Sequence, residues 1–208
     1  MLNELISRYP CLDTCKDDIV AATEAIIDCY KKGGKVLLCG NGGSCADCDH
    51  IVGELMKGFL KLRPLTEEKK AQMKANCPLV DDDILNKLQD ALPAVSLPSI
   101  TALNSAFCND VDPELIYAQP LMSLARENDI LIGISTSGNS KNVFGAVKVA
   151  KALGIKVIGL TGKTGGKLKE HADIAVCVPE TETFKIQELH LPVYHYICAA
   201  TEEYFFKN

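Results

Sequence analysis

The chain has 208 residues, 47% of them hydrophobic, which is enough to bury one sizeable core and favours a single domain over residues 1–208. Its 22 Lys and Arg against 27 Asp and Glu leave a net charge of −5, and no basic run interleaved with aromatics occurs, so direct nucleic-acid binding is not expected. No segment approaches the length of a membrane span, and Met1 to Pro10 lacks a continuous apolar core, so the expected setting is the cytoplasm, with the ten cysteines as reduced thiols that mostly serve as small core residues.

In an N-terminal helical segment, residues 1–34, Ile19, Val20, Ile26, Ile27 and Tyr30 recur at helical spacing behind Asp17 and Asp18, and Gly33-Gly34 supplies a stop. Lys35 to Cys39 reads as a buried strand. It ends in the loop Gly40-Asn41-Gly42-Gly43-Ser44, after which Asp47 to Lys57 has helical character. Residues 61–93 depart from this alternation and read as a helical insertion. Two capped helices are predicted there, one behind Thr66 and one behind Asp81, joined around Cys77-Pro78. Its place after the first loop and helix makes it a candidate lid or a solvated excursion.

The strand grammar returns in Asp129 to Ile134, followed by Ser135-Thr136-Ser137-Gly138-Asn139-Ser140 and a helix through Val143, Val147, Ala150 and Leu153. It returns again in Lys156 to Leu160 and in Ile174 to Val178, before a last helix from about Lys185 to Phe206. Strands alternating with helices at this spacing predict a parallel sheet covered on both faces, a three-layer α/β/α sandwich. Ligands of such folds sit at the carboxyl ends of the strands.

The first loop joins a strand to a helix, so the amides of Gly42, Gly43 and Ser44 suit either an anion or a tight turn. The second loop is more informative. Ser135, Thr136, Ser137 and Ser140 place four hydroxyls within six residues at a strand end, which a turn alone does not need. Neither loop has the Lys of a Walker motif, and the first does not fit the dinucleotide fingerprint, which leaves a monophosphate as the preferred ligand. His50 and Glu54 lie four residues apart on one helix face, a spacing that suits metal binding, acid/base work or a plain surface pair. Cys45-Ala46-Asp47-Cys48 has no second CxxC and reads as helix packing.

Together the two loops resemble those of the sugar isomerase (SIS) domain family, and the run Ile186-Gln187-Glu188-Leu189-His190 resembles its isomerases of seven-carbon sugar phosphates. The resemblance spans Leu12 to Phe59 and Ala94 to Phe206. It implies a sugar-phosphate ligand held by Gly42, Gly43, Ser44, Ser135, Thr136, Ser137 and Ser140, with Asn41 and Gln187 beside the sugar. It further implies a Zn²⁺ bound by His50, Glu54, Gln187 and His195, with Glu54 as base and His195 as acid in an aldose-ketose isomerisation of sedoheptulose 7-phosphate. A homotetramer is implied as well. The alternatives are a non-catalytic phosphosugar-binding module and an isomerase of another sugar phosphate. The latter draws on Lys57, which stands near where the family usually has an arginine, and on a loop at Ser99 to Thr101 that lacks the usual aspartate.

Overall fold

In the computed structural model, residues 1–206 are described. Five short strands, β1 (Val36–Gly40), β2 (Ala94–Ser96), β3 (Ile130–Ile134), β4 (Lys156–Thr161) and β5 (Ile174–Cys177), form one sheet in the order β2-β1-β3-β4-β5. Every neighbouring pair is parallel. Because successive side chains of a strand point to opposite faces, the same residues that make the strands continuous apolar runs also split the core in two. Val36, Leu38, Ile130, Ile132 and Ile134 face one layer, while Leu37, Cys39 and Leu131 face the other.

The first layer is built from α1 (Leu2–Arg8), α2 (Lys16–Lys31) and α3 (Gly43–Met56), together with the long C-terminal helix α10 (Thr183–Phe205). Ile19, Ala22, Ile26 and Cys29 form the buried stripe of α2, and Cys48, Ile51 and Leu55 that of α3. Between them in sequence come α4 (Glu67–Asn76), α5 (Asp82–Lys87), α6 (Thr101–Asp110), α7 (Ala118–Leu124), α8 (Lys141–Ala152) and α9 (Gly166–His171). Leu121 of α7, Val143, Ala146, Val147 and Ala150 of α8, and Leu168 of α9 cover the second face. The expected three-layer architecture is therefore present, with strand β2 and helices α6, α7 and α9 added where the sequence pattern predicts none.

The insertion forms two capped helices, as its sequence suggests. Thr66 accepts a bond from the Lys69 amide and Asp81 one from the Ile84 amide. Its base is pinned: Asp90 N donates to Arg63 O at 2.7 Å and Gly58 N to Gln89 Oε1 at 2.6 Å. All ten cysteines are free. Burial raises the Cys39 thiol to about 12 and the Cys48 thiol well above its ordinary value, so neither has the character of a redox-active thiolate. Among the described residues no helix is long and apolar enough to cross a membrane.

His190, on the core face of α10, is fully buried and neither ring nitrogen is hydrogen-bonded. Burial lowers its pKa from 6.5 to about 4; the Thr161 carbonyl pulls the other way without a hydrogen bond of ordinary geometry. The folded state thus binds fewer protons than the unfolded state between those values. His190 contributes its stability in full above pH 6.5, and loses about 3 kcal/mol of it as the pH falls towards 4. Denaturant titrations across this window are expected to show a steeper loss for the wild type than for His190→Leu. Equal slopes would remove His190 from the account.

Candidate functional site

Strands β1 and β3 are neighbours, but the chain leaves β1 towards β2 on one side and leaves β3 towards β4 on the other. Such a reversal opens a crevice at the carboxyl ends of the two strands. The loop of residues 40–44 and the loop of residues 135–140 both emerge at this point.

In the first loop, Gly42 has φ +56° and leads directly into α3. The Ser44 amide is engaged by the Asn41 carbonyl at 3.0 Å, whereas the Gly42 and Gly43 amides have no backbone acceptor among the described residues. These two are the donors left for an anion at the start of a 14-residue helix. A Cβ on Gly43 would stand 2.5 Å from Gln187 Nε2, so the Gln187 amide lies directly on the glycine backbone. Asn41 ties the first loop to the first turn of α8 through reciprocal bonds with Asn142, 2.8 and 2.9 Å, while the buried Tyr117 hydroxyl shares its one proton between Asn41 Oδ1 and Gly40 O. Tyr117 and Asn142 carried no signal in the sequence. They matter because they fix the position of Asn41.

In the second loop, the buried Ser135 and half-buried Ser140 face one another with their hydroxyl oxygens 2.9 Å apart. Ser140 is the residue that precedes α8. Thr136 is half-buried and its carbonyl accepts from Gly162 N, while the exposed Ser137 accepts from the Asn139 amide. Gly138 has φ +67°, and a Cβ there would meet Gly165 O at 1.9 Å, so only glycine allows the loop to close on its neighbour. A cavity of about 320 Å³ lies beside both loops, lined by Asn41, Pro113, Glu114, Ser140, Lys141 and Asn142.

The acid/base candidates meet farther along α3. His50 Nε2 is 3.2 Å from Glu54 Oε1 and 3.4 Å from His195 Nε2, and Phe59 packs against the His195 ring. The sequence offered no reason for Gln187 and His195, eight residues apart on α10, to serve one site. In the structure Gln187 meets Gly43 and His195 meets His50, so eight residues of α10 run beside seven of α3 in the same direction. The two helices share nearly equal rise over that stretch, which brings both contacts to a single face of α3.

Two residues next to this cluster went unrecognised in the sequence. The buried Tyr194 hydroxyl donates to Asp47 Oδ1 at 3.2 Å and lies 3.0 Å from His50 Nδ1. Asp47 stands three positions before His50 on α3, so helical periodicity alone could have flagged it. Burial raises the Asp47 carboxyl, against the Tyr194 bond and the His50 charge that lower it. Burial, and next the neighbouring His50, lower the His195 imidazole below its ordinary value, with Glu54 opposing. Lys57 is 61% exposed and reaches Glu54 Oε2 only at 3.5 Å. Ser99 bonds to Asp49 of α3, which supplies a carboxylate to the loop in which the sequence shows none.

The donor set at the cluster suits a zinc ion in kind, two imidazole nitrogens and a carboxylate oxygen, whereas the Gln187 amide that the resemblance adds to it lies against Gly43, two turns of α3 before His50. Among the described residues no group of three or more His, Cys, Asp and Glu side chains is already arranged as a metal cluster.

Two family models, each described as SIS domain, match residues 4–93 and 102–197. The phosphoheptose isomerase of Roseiflexus sp. (strain RS-1) is 35% identical over 197 residues, which are 95% of this chain and 87% of that relative. The structure of phosphoheptose isomerase GmhA from Neisseria gonorrhoeae superposes with a TM-score of 0.76 at 31% identity, covering 97% of this chain and 94% of that one. A phosphoheptose isomerase from Francisella tularensis gives a TM-score of 0.74 at 30% identity, covering 97% and 98%. With this superposition and this extent of identity over nearly its whole length, the chain belongs to the phosphoheptose isomerase family of SIS-domain proteins.

Proposed function

We propose that this chain interconverts D-sedoheptulose 7-phosphate and D-glycero-D-manno-heptose 7-phosphate through an enediolate. The observation that carries the reading is the meeting of Glu54 and His50 of α3 with His195 of α10, beside the helix whose start offers the Gly42 and Gly43 amides. At a rise of 1.5 Å per residue, His50 and Glu54 lie about 9 and 15 Å along that helix from Ser44. A long sugar phosphate can therefore be anchored at one end and react at the other, which lends its remote binding energy to orientation.

In this reading the phosphate lies against the amides of Gly42 and Gly43 and the hydroxyls of Ser44, Ser135, Thr136, Ser137 and Ser140, with Asn41 and Gln187 beside the sugar. Glu54 removes a proton from carbon one of the ketose. The pair left behind forms the enediolate, and a proton returned to carbon two, with the O1 hydroxyl proton passed to O2, completes the aldose. His195, neutral near pH 7, donates a hydrogen bond to the oxygen on which charge develops. His50, Glu54, Gln187 and His195 would hold Zn²⁺, which when bound would supply Lewis-acid polarisation of the carbonyl.

A panel of sugar phosphates, incubated with chelator or with added zinc and resolved by product chromatography, tests the assignment. Turnover of sedoheptulose 7-phosphate that chelator removes and zinc restores is expected. Conversion only of a shorter sugar phosphate would redirect the substrate, and no turnover at all would favour a binding module. The reading includes a cytoplasmic homotetramer. Its subunit contacts are placed by this reading at the apolar residues Leu5, Leu191 and Pro192 of α1 and α10, which line an open cavity of about 490 Å³ beside His195. Light scattering is expected to report four subunits at assay concentration; a monomer would rule that out.

A further inference from the structure

The Tyr194 hydroxyl has one proton and two neighbours. It lies 3.2 Å from Asp47 Oδ1 and 3.0 Å from His50 Nδ1, in a side chain that is only 2% exposed. Asp47 Oδ2 is buried and has no hydrogen-bond partner among the described residues. Were the tyrosine proton directed at His50, the carboxylate would lose the donor that reaches its other oxygen as well, a costly state for a half-buried anion. The proton therefore points to Asp47. The phenol oxygen is then left as an acceptor, and the only donor that His50 can offer it is Nδ1–H. With a neutral ring, Nε2 carries the lone pair.

We propose that Asp47 and Tyr194 are positioning residues which hold the His50 proton on Nδ1 and turn the Nε2 lone pair into the space shared with Glu54 and His195. The inference rests on the reading of that trio as the reacting cluster. It explains why an electron-rich nitrogen stands 3.2 Å from a carboxylate oxygen, since the arrangement favours a cation between them. A carboxylate acting through a hydrogen-bonded neighbour on a ligating histidine orients the ring and raises its basicity. Here the tyrosine transmits that influence across a gap the aspartate does not span.

The test is the tautomer itself, read from the ¹⁵N shifts of the His50 ring in the full-length, chelator-treated protein at pH 8. The two ring nitrogens of a neutral imidazole, protonated and bare, are well separated in such spectra. The wild type is expected to show protonated Nδ1 and bare Nε2, with protonation redistributed towards Nε2 in Tyr194→Phe. Zinc affinity, measured by competition with a chromogenic chelator, is expected to fall about 10- to 100-fold in that variant. Should Tyr194→Phe fail to fold, Asp47→Ala gives a second reading: its Tyr194 is free to donate to Nδ1, which moves the histidine proton to Nε2. A proton on Nε2 in the wild type, or the same His50 shifts in wild type and variant, overturns the proposal whatever the zinc result. Because the spectra need no substrate, failure of the isomerase reading would show separately, as absent turnover.

Discussion

Glu54→Gln is expected to lower turnover of sedoheptulose 7-phosphate by about 10²- to 10⁴-fold, the range typical for loss of a positioned general base. The amide keeps the shape of the carboxylate, and its NH₂ can donate to the lone pair on His50 Nε2, 3.2 Å from that position, so the fold has no reason to respond. What disappears is the ability to accept a proton from carbon. Calorimetric binding of the sugar phosphate is expected to persist, because the amides and hydroxyls proposed to hold the phosphate belong to the loops of residues 40–44 and 135–140. His195→Ala should show the same division between turnover and binding. Wild-type kcat in Glu54→Gln would sink the mechanism, whereas loss of binding in parallel with turnover would place Glu54 in the recognition of substrate.

Much of the architecture was readable because strands buried on both faces advertise themselves as apolar runs. The runs ending at Cys39, Ile134 and Leu160 became β1, β3 and β4, each within a residue or so of its expected limits. Strand β2 escaped because it has only three residues, Ala94 to Ser96, behind a proline. Helix α6 buries none of its residues, so it has no apolar stripe to find.

The two glycine- and hydroxyl-rich loops were legible for a different reason: glycine concentrates where the backbone must close tightly on a neighbour, as at Gly138. What could not be read was register between distant elements. That Gln187 lies on Gly43, or that Tyr117 reaches Asn41 across 76 positions, depends on how α10 and α7 settle on the sheet. No local pattern encodes that. Asp47 is the exception, since its spacing from His50 was available and only its partner Tyr194 was not.

Arg63→Met is expected to destabilise the fold by about 3–5 kcal/mol, the cost of leaving one partner of a buried ion pair alone. The Arg63 side chain is 0% exposed and its Nε bonds Glu202 Oε1 at 2.7 Å. Burial on its own would raise Glu202, but bonds from the Phe59 and Leu60 amides and from Arg63 outweigh it and hold the carboxyl below its ordinary value. That contribution is present above the unfolded pKa and disappears as the pH falls through the folded one.

Arg63 also reaches the site. Its Nη1 donates to Leu55 O at 2.7 Å and its Nη2 to Glu54 O at 3.1 Å, two of the carbonyls that the end of α3 leaves without helical partners. The guanidinium thereby joins the last turn of α3, which carries Glu54, to α10, which carries His195. The double variant Arg63→Met/Glu202→Gln separates the two functions. Removing the stranded charge should restore a substantial part of the lost stability in urea unfolding, while kcat stays low because the Glu54 carbonyl loses its donor and the Leu55 carbonyl keeps only the Leu92 amide. If kcat recovered along with stability, Arg63 would serve the fold alone, and the placement of Glu54 would have to come from the body of α3.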